Sequence, residues 1–280
     1  MEYSPTVRGR RLIREIERIR HGSGLSMEAA AHHLGWSTSK LYRLENGRSR
    51  ITTDDLADML DLYGVRSPQR EELIQLGRDA RKRGWWTGYS DVFTGSYISM
   101  EAEASGIRVN AHLMPGIFQV PGYAHEMIRR TRPAISTEDA ERRVAARSAR
   151  QDALYSRPQP PDIHVILDEA VLHRQVGGPA VMRQQLTALA ETATRPDVTI
   201  QVLPFTAGAS AGMEGHFVIL VFPDAGDPPV AYVEGLMGDV YIEAEEEVGR
   251  FTLAWTHLLT QALDPDQSAA MIRTLAKENQ

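Results

Sequence analysis

Between Leu25 and Gly47 apolar residues recur at helical spacing in two short bursts separated by a corner. Ala30, Ala31 and Leu34 form the inner side of the first burst; Leu41 and Leu44, three apart, form that of the second. Ser26 and Ser37 each stand where a side-chain oxygen caps the first turn of a helix, and Gly35-Trp36 marks the corner. Alanines at 29–31 leave room for two helices to cross closely, as a helix-turn-helix requires. With Leu41 and Leu44 turned inward, Thr38, Ser39, Tyr42 and Arg43 are left facing outward, a candidate strip for reading DNA. The plainer reading is a helical hairpin inside a larger core. Caps, corner, small residues and outward cations agree better with the first.

The pattern extends on both sides. Val7–His21 predicts a helix with Leu12, Ile13, Ile16 and Ile19 inward and Arg10, Arg11, Arg14 and Arg18 outside, where they meet phosphate or simply solvate the face. Residues 1–6 are expected to fray, and Gly22 to Gly24 end the helix. Thr53 opens a fourth helix over Leu56, Met59 and Leu60, stopped by Gly64. Ser67-Pro68 is expected to cap a fifth, with Leu73, Leu76 and Ala80 inward. That helix finishes in Arg78, Arg81, Lys82 and Arg83, cations suited to a helix C-terminus without any DNA. Gly84 to Gly88, with Trp85 and Trp86 read as a docking plug, sets the expected boundary: an all-α five-helix domain at 1–84 and a second domain at 85–280.

The second domain changes period. Helices are expected near Ser96–Ala104, after Pro121, and from Ser136 or Thr137 to Tyr155. The last of these has Ala140, Val144 and Ala149 inward and Arg142, Arg143, Arg147 and Arg150 mostly outside. Pro158, Pro160 and Pro161 force an extended stretch. Ile163–Leu167, Val198–Leu203, Phe217–Phe222 and Val230–Glu234 read as short strands. A helix from Pro179 separates the first two, and Val248–Ala262 and Pro265 onward read as closing helices. The fold class is α+β, with a small mixed sheet.

Composition adds two points. The 280 residues include no cysteine, which removes disulfides and thiolate zinc sites, and Phe217–Phe222, the longest apolar run, cannot span a bilayer. With no apolar signal core, a soluble cytoplasmic chain is expected. Charge is split: residues 1–84 hold 16 Lys and Arg against 12 Asp and Glu, and the rest hold 15 against 25. A basic head on an acidic body suits a DNA-binding module joined to a domain that does not bind DNA, although a small asymmetry also arises by chance.

The run S-x-x-x-A-A-x-x-L-G-x-S-x-S-K-x-x-R-x-E-N-G at residues 26–47 resembles the lambda-repressor-type (XRE family) DNA-binding domain, over about residues 7–65. The resemblance implies base-edge contacts from Thr38, Ser39 and Arg43, phosphate contacts from Lys40 and Asn46–Arg48, and an ion pair of Arg20 with Glu45. The position after the Ser26 cap, often Gln in such domains, is Met27 here, leaving the Ser26 hydroxyl and the helix N-terminus to hold phosphate. The expected DNA-binding set is therefore Ser26, Met27, Ser37, Thr38, Ser39, Lys40, Tyr42, Arg43, Asn46 and Arg48. The stretches VPGYAHEMIR, LDEAVLHRQVGGPAVMRQQL, DVTIQVLPFTAGASAGMEGHFVILVFPD and PVAYVE resemble the C-terminal domain of many actinobacterial XRE-family regulators, the Scr-type antitoxin-like regulators, from about Trp85 to Lys277. That resemblance implies a transcription factor, often encoded beside a small partner protein that binds and modulates it.

Other chemistry is weighed and set aside. Gly208-Ala-Ser210-Ala-Gly212 fits G-x-S-x-G, and Asp224, Asp227 or Asp239 and then His257 follow in triad order, but a strand rather than a helix is expected after the serine. A flexible small-residue loop is the plainer reading, and no catalytic residue is assigned. Nine histidines show no metal-binding spacing, and no phosphate-binding glycine motif appears, so neither metal nor cofactor is expected. The expectation is a homodimeric regulator on a near-palindromic duplex, its C-terminal domain sensing a small-molecule effector or a small neighbouring-gene protein. The alternative is an antitoxin-like chain that mainly neutralises such a partner.

Overall fold

The computed structural model describes residues 5–81, 84–93, 95–224, 226–236 and 238–279; Lys82 and Arg83 of the expected basic cluster lie outside them. The chain divides into two compact units: Met1–Thr87 with Thr94–Glu103, and Gly88–Phe93 with Ala104–Gln280.

The first unit begins with five helices, α1 (Val7–Gly22), α2 (Met27–His33), α3 (Thr38–Glu45), α4 (Thr53–Leu62) and α5 (Gln69–Asp79). Leu12, Ile16, Ala30, Ala31, Leu41, Leu44, Leu56, Met59, Leu60 and Leu73 form one core. Of residues 1–6, expected to fray, 1–4 lie outside the described residues, and Thr6 caps α1, its hydroxyl accepting from the Gly9 amide at 3.1 Å. Thr52 and Asp55 form a reciprocal capping box on α4, so two of its orphan amides are satisfied at once. Ser67 does not cap α5; its hydroxyl donates to Glu71 at 2.7 Å, and Pro68 holds the cap position. On α5 Leu73 and Gly77 are buried, Ile74 and Leu76 pack half-buried against the same core, and Ala80 is half-buried. A Cβ on Gly77 would lie 2.7 Å from Leu56 Cδ2, so this face admits no larger residue without movement. A sixth helix, α6 (Tyr97–Glu101), joins this unit because Arg8 pairs with Glu103 at 3.3 Å and Arg10 donates to Ser96 at 3.3 Å.

The second unit is built on a six-stranded mixed sheet. Its strands are β1 (Gly106–Ala111), β2 (Asp162–Asp168), β3 (Val198–Leu203), β4 (Phe217–Val221), β5 (Val230–Gly235) and β6 (Gly238–Ile242), in the order β3-β2-β1-β4-β5-β6. β1, β2 and β3 run parallel, and β4, β5 and β6 continue antiparallel. Two strands escaped the sequence pattern. β1 carries Arg108 and Asn110 among Ile107, Val109 and Ala111, and β6 is a short, mostly exposed edge. The parallel crossovers contain α7 (Pro121–Thr131) with α8 (Thr137–Tyr155), then α9 (Ala170–His173) with α10 (Pro179–Thr192). The chain closes with α11 (Glu245–Gln261) and α12 (Pro265–Glu278).

Period two puts Ile166, Phe217 and Ile219 on one face of the sheet, where Trp255 and Leu258 of α11 cover them. Ile107, Val109, Ile163, Val165, Val218 and Leu220 alternate onto the other face and are buried as well. On α8 the buried residues are Ala140, Ala146 and Leu154; Val144 and Ala149 are only half-buried. Arg147, expected outside, is half-buried and donates to Gln119 Oε1. Among the described residues no helix is long and apolar enough to cross a membrane.

Candidate nucleic-acid interface

The geometry of α2 and α3 follows from three local features. Ser26 Oγ accepts from the Ala29 amide at 3.1 Å, and Ser37 Oγ accepts from the Lys40 amide at 3.1 Å, so each helix starts where its serine stands. Between them Gly35 takes φ +68°, the left-handed conformation that closes α2 and reverses the chain. The Trp36 amide then donates to Ala31 carbonyl at 2.9 Å, locking the corner. Leu41 (0% exposed) and Leu44 (3%) fix the rotation of α3.

Thr38, Ser39 and Arg43 are accordingly exposed, and Tyr42 is 44% exposed. Arg43 makes no side-chain hydrogen bond or ion pair with any described residue, so its five donors remain available. Past the helix, Asn46 Nδ2 donates to Tyr42 carbonyl at 2.9 Å, and the Arg48 guanidinium lies 5.5 Å from the Tyr42 ring centre. Ser26, Ser37, Asn46 and Arg48 are exposed alongside them.

Two members of the expected set sit differently. The Met27 side chain is half-buried against the core of the unit and offers no donor to a phosphate, which leaves only its backbone amide at the start of α2. Lys40 already has partners: its ammonium is 2.6 Å from Asp55 Oδ1 and 3.7 Å from the Trp36 ring centre. Burial alone would raise the Asp55 carboxyl, but hydrogen bonds from Lys40 and Thr52 hold it below the usual carboxylate range. Lys40 thus ties the start of α3 to α4, and meeting a phosphate means sharing its charge with Asp55. Sequence spacing carries no signal for that competition, because 15 residues separate the pair.

Below the surface, Arg20 and Glu45 form a doubly hydrogen-bonded pair. Arg20 Nε donates to Glu45 Oε1 and Nη2 to Oε2, each at 2.9 Å, and Nη1 donates to Leu25 carbonyl at 3.0 Å. The hydrogen bond to Glu45 raises the Arg20 guanidinium further, and burial together with the Glu45 charge pushes the nearby Tyr63 hydroxyl up to about 12. The pair fixes the last turn of α3 against α1 and the α2 entry, which is what holds the outward strip at one angle.

The G-x-S-x-G loop has a different role in the fold from the flexible connector expected. Ser210 has φ −140° and ψ 160°, extended backbone without the strain of a nucleophile elbow. A single 3₁₀ turn, Ala211–Glu214, intervenes before β4. Buried Asn110 of β1 anchors the loop, its Nδ2 donating to Gly215 carbonyl at 2.8 Å and Gly212 carbonyl at 3.3 Å. A Cβ on Gly212 would lie 3.0 Å from Asn110 Oδ1 and from Leu258 Cδ2, so the glycine is needed for this close approach. Ser210 and His257 do border one shallow depression, with Thr260 and Gln261. Among the described residues no group of three or more His, Asp or Glu is placed to hold a metal ion.

Two family models match the chain. One, described as a helix-turn-helix domain, covers residues 11–73. The other, described as a domain of unknown function (DUF5753), covers residues 94–274. No curated protein and no solved structure matches the chain.

Proposed function

The chain belongs to the DUF5753 family and carries a helix-turn-helix DNA-binding domain ahead of it, and from that premise we propose a homodimeric, sequence-specific cytoplasmic transcriptional regulator. The observation that carries the reading is the rotation of α3: with Leu41 and Leu44 inward, Thr38, Ser39 and Arg43, the last unpaired among the described residues, project together from one exposed strip.

In this reading α3 lies in a major groove. Thr38 and Ser39 reach base edges from its first turn, and Arg43 takes a guanine O6/N7 edge bidentately. Ser26, Ser37, Asn46 and Arg48 approach the flanking phosphates, with the amides at the α2 N-terminus adding donors. An eight-residue helix spans about 12 Å and reads few base pairs. Two copies on half-sites about 34 Å apart supply the missing contacts, and a two-fold axis makes the site a near-palindrome. The acidic C-terminal domain supports dimerisation and senses an effector or partner.

The test is duplex binding by Arg43→Ala at fixed salt. A loss of about 1–3 kcal/mol in specific affinity, with nonspecific binding little changed, is expected. Unaltered specific affinity refutes the assignment of α3.

A further inference from the structure

Residues 129–150 carry seven arginines against three acidic residues, an island of positive charge in a C-terminal domain that is acidic as a whole. Two of the seven, Arg132 in the turn after α7 and Arg143 on α8, line a cavity of about 410 Å³. Val92, Pro133 and Ile135 give the cavity an apolar side.

The two carboxylates in its wall are already engaged. Asp91 accepts from Arg142 Nη2 at 2.7 Å, a hydrogen bond that holds its carboxyl down at about 2. Asp139 accepts from Ser136 Oγ at 2.8 Å in the first turn of α8, where the helix dipole favours its charge. Arg132 and Arg143, by contrast, have no side-chain hydrogen bond or salt bridge among the described residues. Half-buried Arg147 nearby is pushed down to about 10, first by burial, then by repulsion from Arg150, Arg132 and Arg143, with the Glu234 charge opposing. Asp91 and Asp139 share the wall, and the Arg143 charge helps to hold the Asp91 carboxyl down, but neither Arg132 nor Arg143 has its donors engaged among the described residues, so an anion placed between them gains both guanidinium forks.

We propose that this cavity binds a small organic anion, its carboxylate or phosphate head held by the Arg132 and Arg143 guanidinium groups and its apolar body against Val92, Pro133 and Ile135. Guanidinium forks match either head group bidentately. The apolar wall favours a small molecule over a duplex backbone, which offers that wall nothing to bury. The proposal names the effector class for the sensing role proposed above, and the site can be tested without that role.

Calorimetry on the full chain with octanoate, octyl phosphate, inorganic phosphate and 1-octanol tests it. At least one octyl anion should saturate one site per chain, at least ~10-fold more tightly than 1-octanol, while inorganic phosphate separates the head group's contribution from the body's. Arg132→Ala and Arg143→Ala should each weaken that anion ~10-fold with unchanged thermal unfolding, and Arg143→Lys should fall between. No saturable octyl-anion binding, equal binding of 1-octanol, or full affinity in both alanine variants overturns the site. Ligand-free duplex affinity should be the same in both variants as in the unaltered chain. A loss with a shallower salt dependence would put these arginines on DNA phosphates instead and overturn the proposal. Anion binding that leaves duplex affinity unmoved upholds the site and overturns the sensing role.

Discussion

The two units satisfy their polar groups in opposite ways. The helical unit exposes its candidate DNA-reading strip and buries charge, the Arg20–Glu45 pair and Glu101 of α6, which accepts from the Tyr97 hydroxyl at 3.1 Å. The sheet unit buries a series of amides instead. Gln185 of α10 accepts from the Val120 amide at 2.9 Å and donates to Phe118 carbonyl at 2.7 Å. Gln119 donates to Met114 carbonyl at 2.7 Å, and Gln201 donates to Leu263 carbonyl at 2.7 Å while accepting from His164 at 2.7 Å. Asn110 holds the 208–215 region. A surface built to meet another molecule can leave donors exposed to water, whereas loops folded over a sheet need internal partners for their backbone.

The sharpest way to break this contrast is at the buried pair. Glu45→Ala leaves the Arg20 guanidinium without its counter-charge and should destabilise the helical unit by about 3–5 kcal/mol. Peptide-resolved hydrogen exchange should show faster exchange across α1–α5 and an unchanged sheet. Equal loosening of both units would mean that their stabilities are not separable. In the sheet unit, Gln185→Ala strands a buried amide and a carbonyl, with an expected cost of about 1–3 kcal/mol for each group left unpaired. Exchange should rise first at Val120 and α7; a silent variant would show that the amides are incidental. Thr52→Ala removes one half of the α4 capping box and should cost about 1 kcal/mol, confined to the helical unit.

Acid should separate the units more gently. Burial holds both His164 and His216 below the usual histidine value; the His216 ring also donates from Nδ1 to Asn110 carbonyl at 2.8 Å. The unfolded chain therefore binds more protons near these groups. Their contribution is full above about pH 6.5 and is lost as pH falls from there through the depressed folded values. In the helical unit the lowered Asp55 carboxyl contributes above about pH 3.9 and is lost only as pH falls through its folded value. Far-ultraviolet and tryptophan melts at pH 7, 5.5 and 4.5 should show the sheet unit weakening first. Loss of the helical unit first would reverse the assignment.

The same contrast explains what could be read from the chain beforehand. Amphipathic helices announce both faces, so Leu41 and Leu44 disclosed Thr38, Ser39 and Arg43 without coordinates. The Ser26 and Ser37 caps were equally plain. Lys40 was half-legible: its place on α3 was clear, but its partner Asp55 lies 15 residues away on α4. In the sheet unit the apolar runs gave four strands and hid β1, because Asn110 looks like a surface residue until the loop it anchors is in place. The alternation of Ile107, Val109 and Ala111 was the available signal. Arg147 turns inward for a related reason that helical periodicity does not carry: its partner, Gln119, is 28 residues away in the chain.

The most direct test of the outward strip is to select duplexes from a randomised pool with the full chain and with Arg43→Ala, and compare preferences position by position. A near-palindrome with half-sites about one helical turn apart is expected. In the variant, discrimination should collapse at one symmetric pair of positions, normally guanine, while the others keep their rank. An identical motif from both proteins, or a motif without two-fold symmetry, would contradict the reading of α3 as the helix that two copies place side by side.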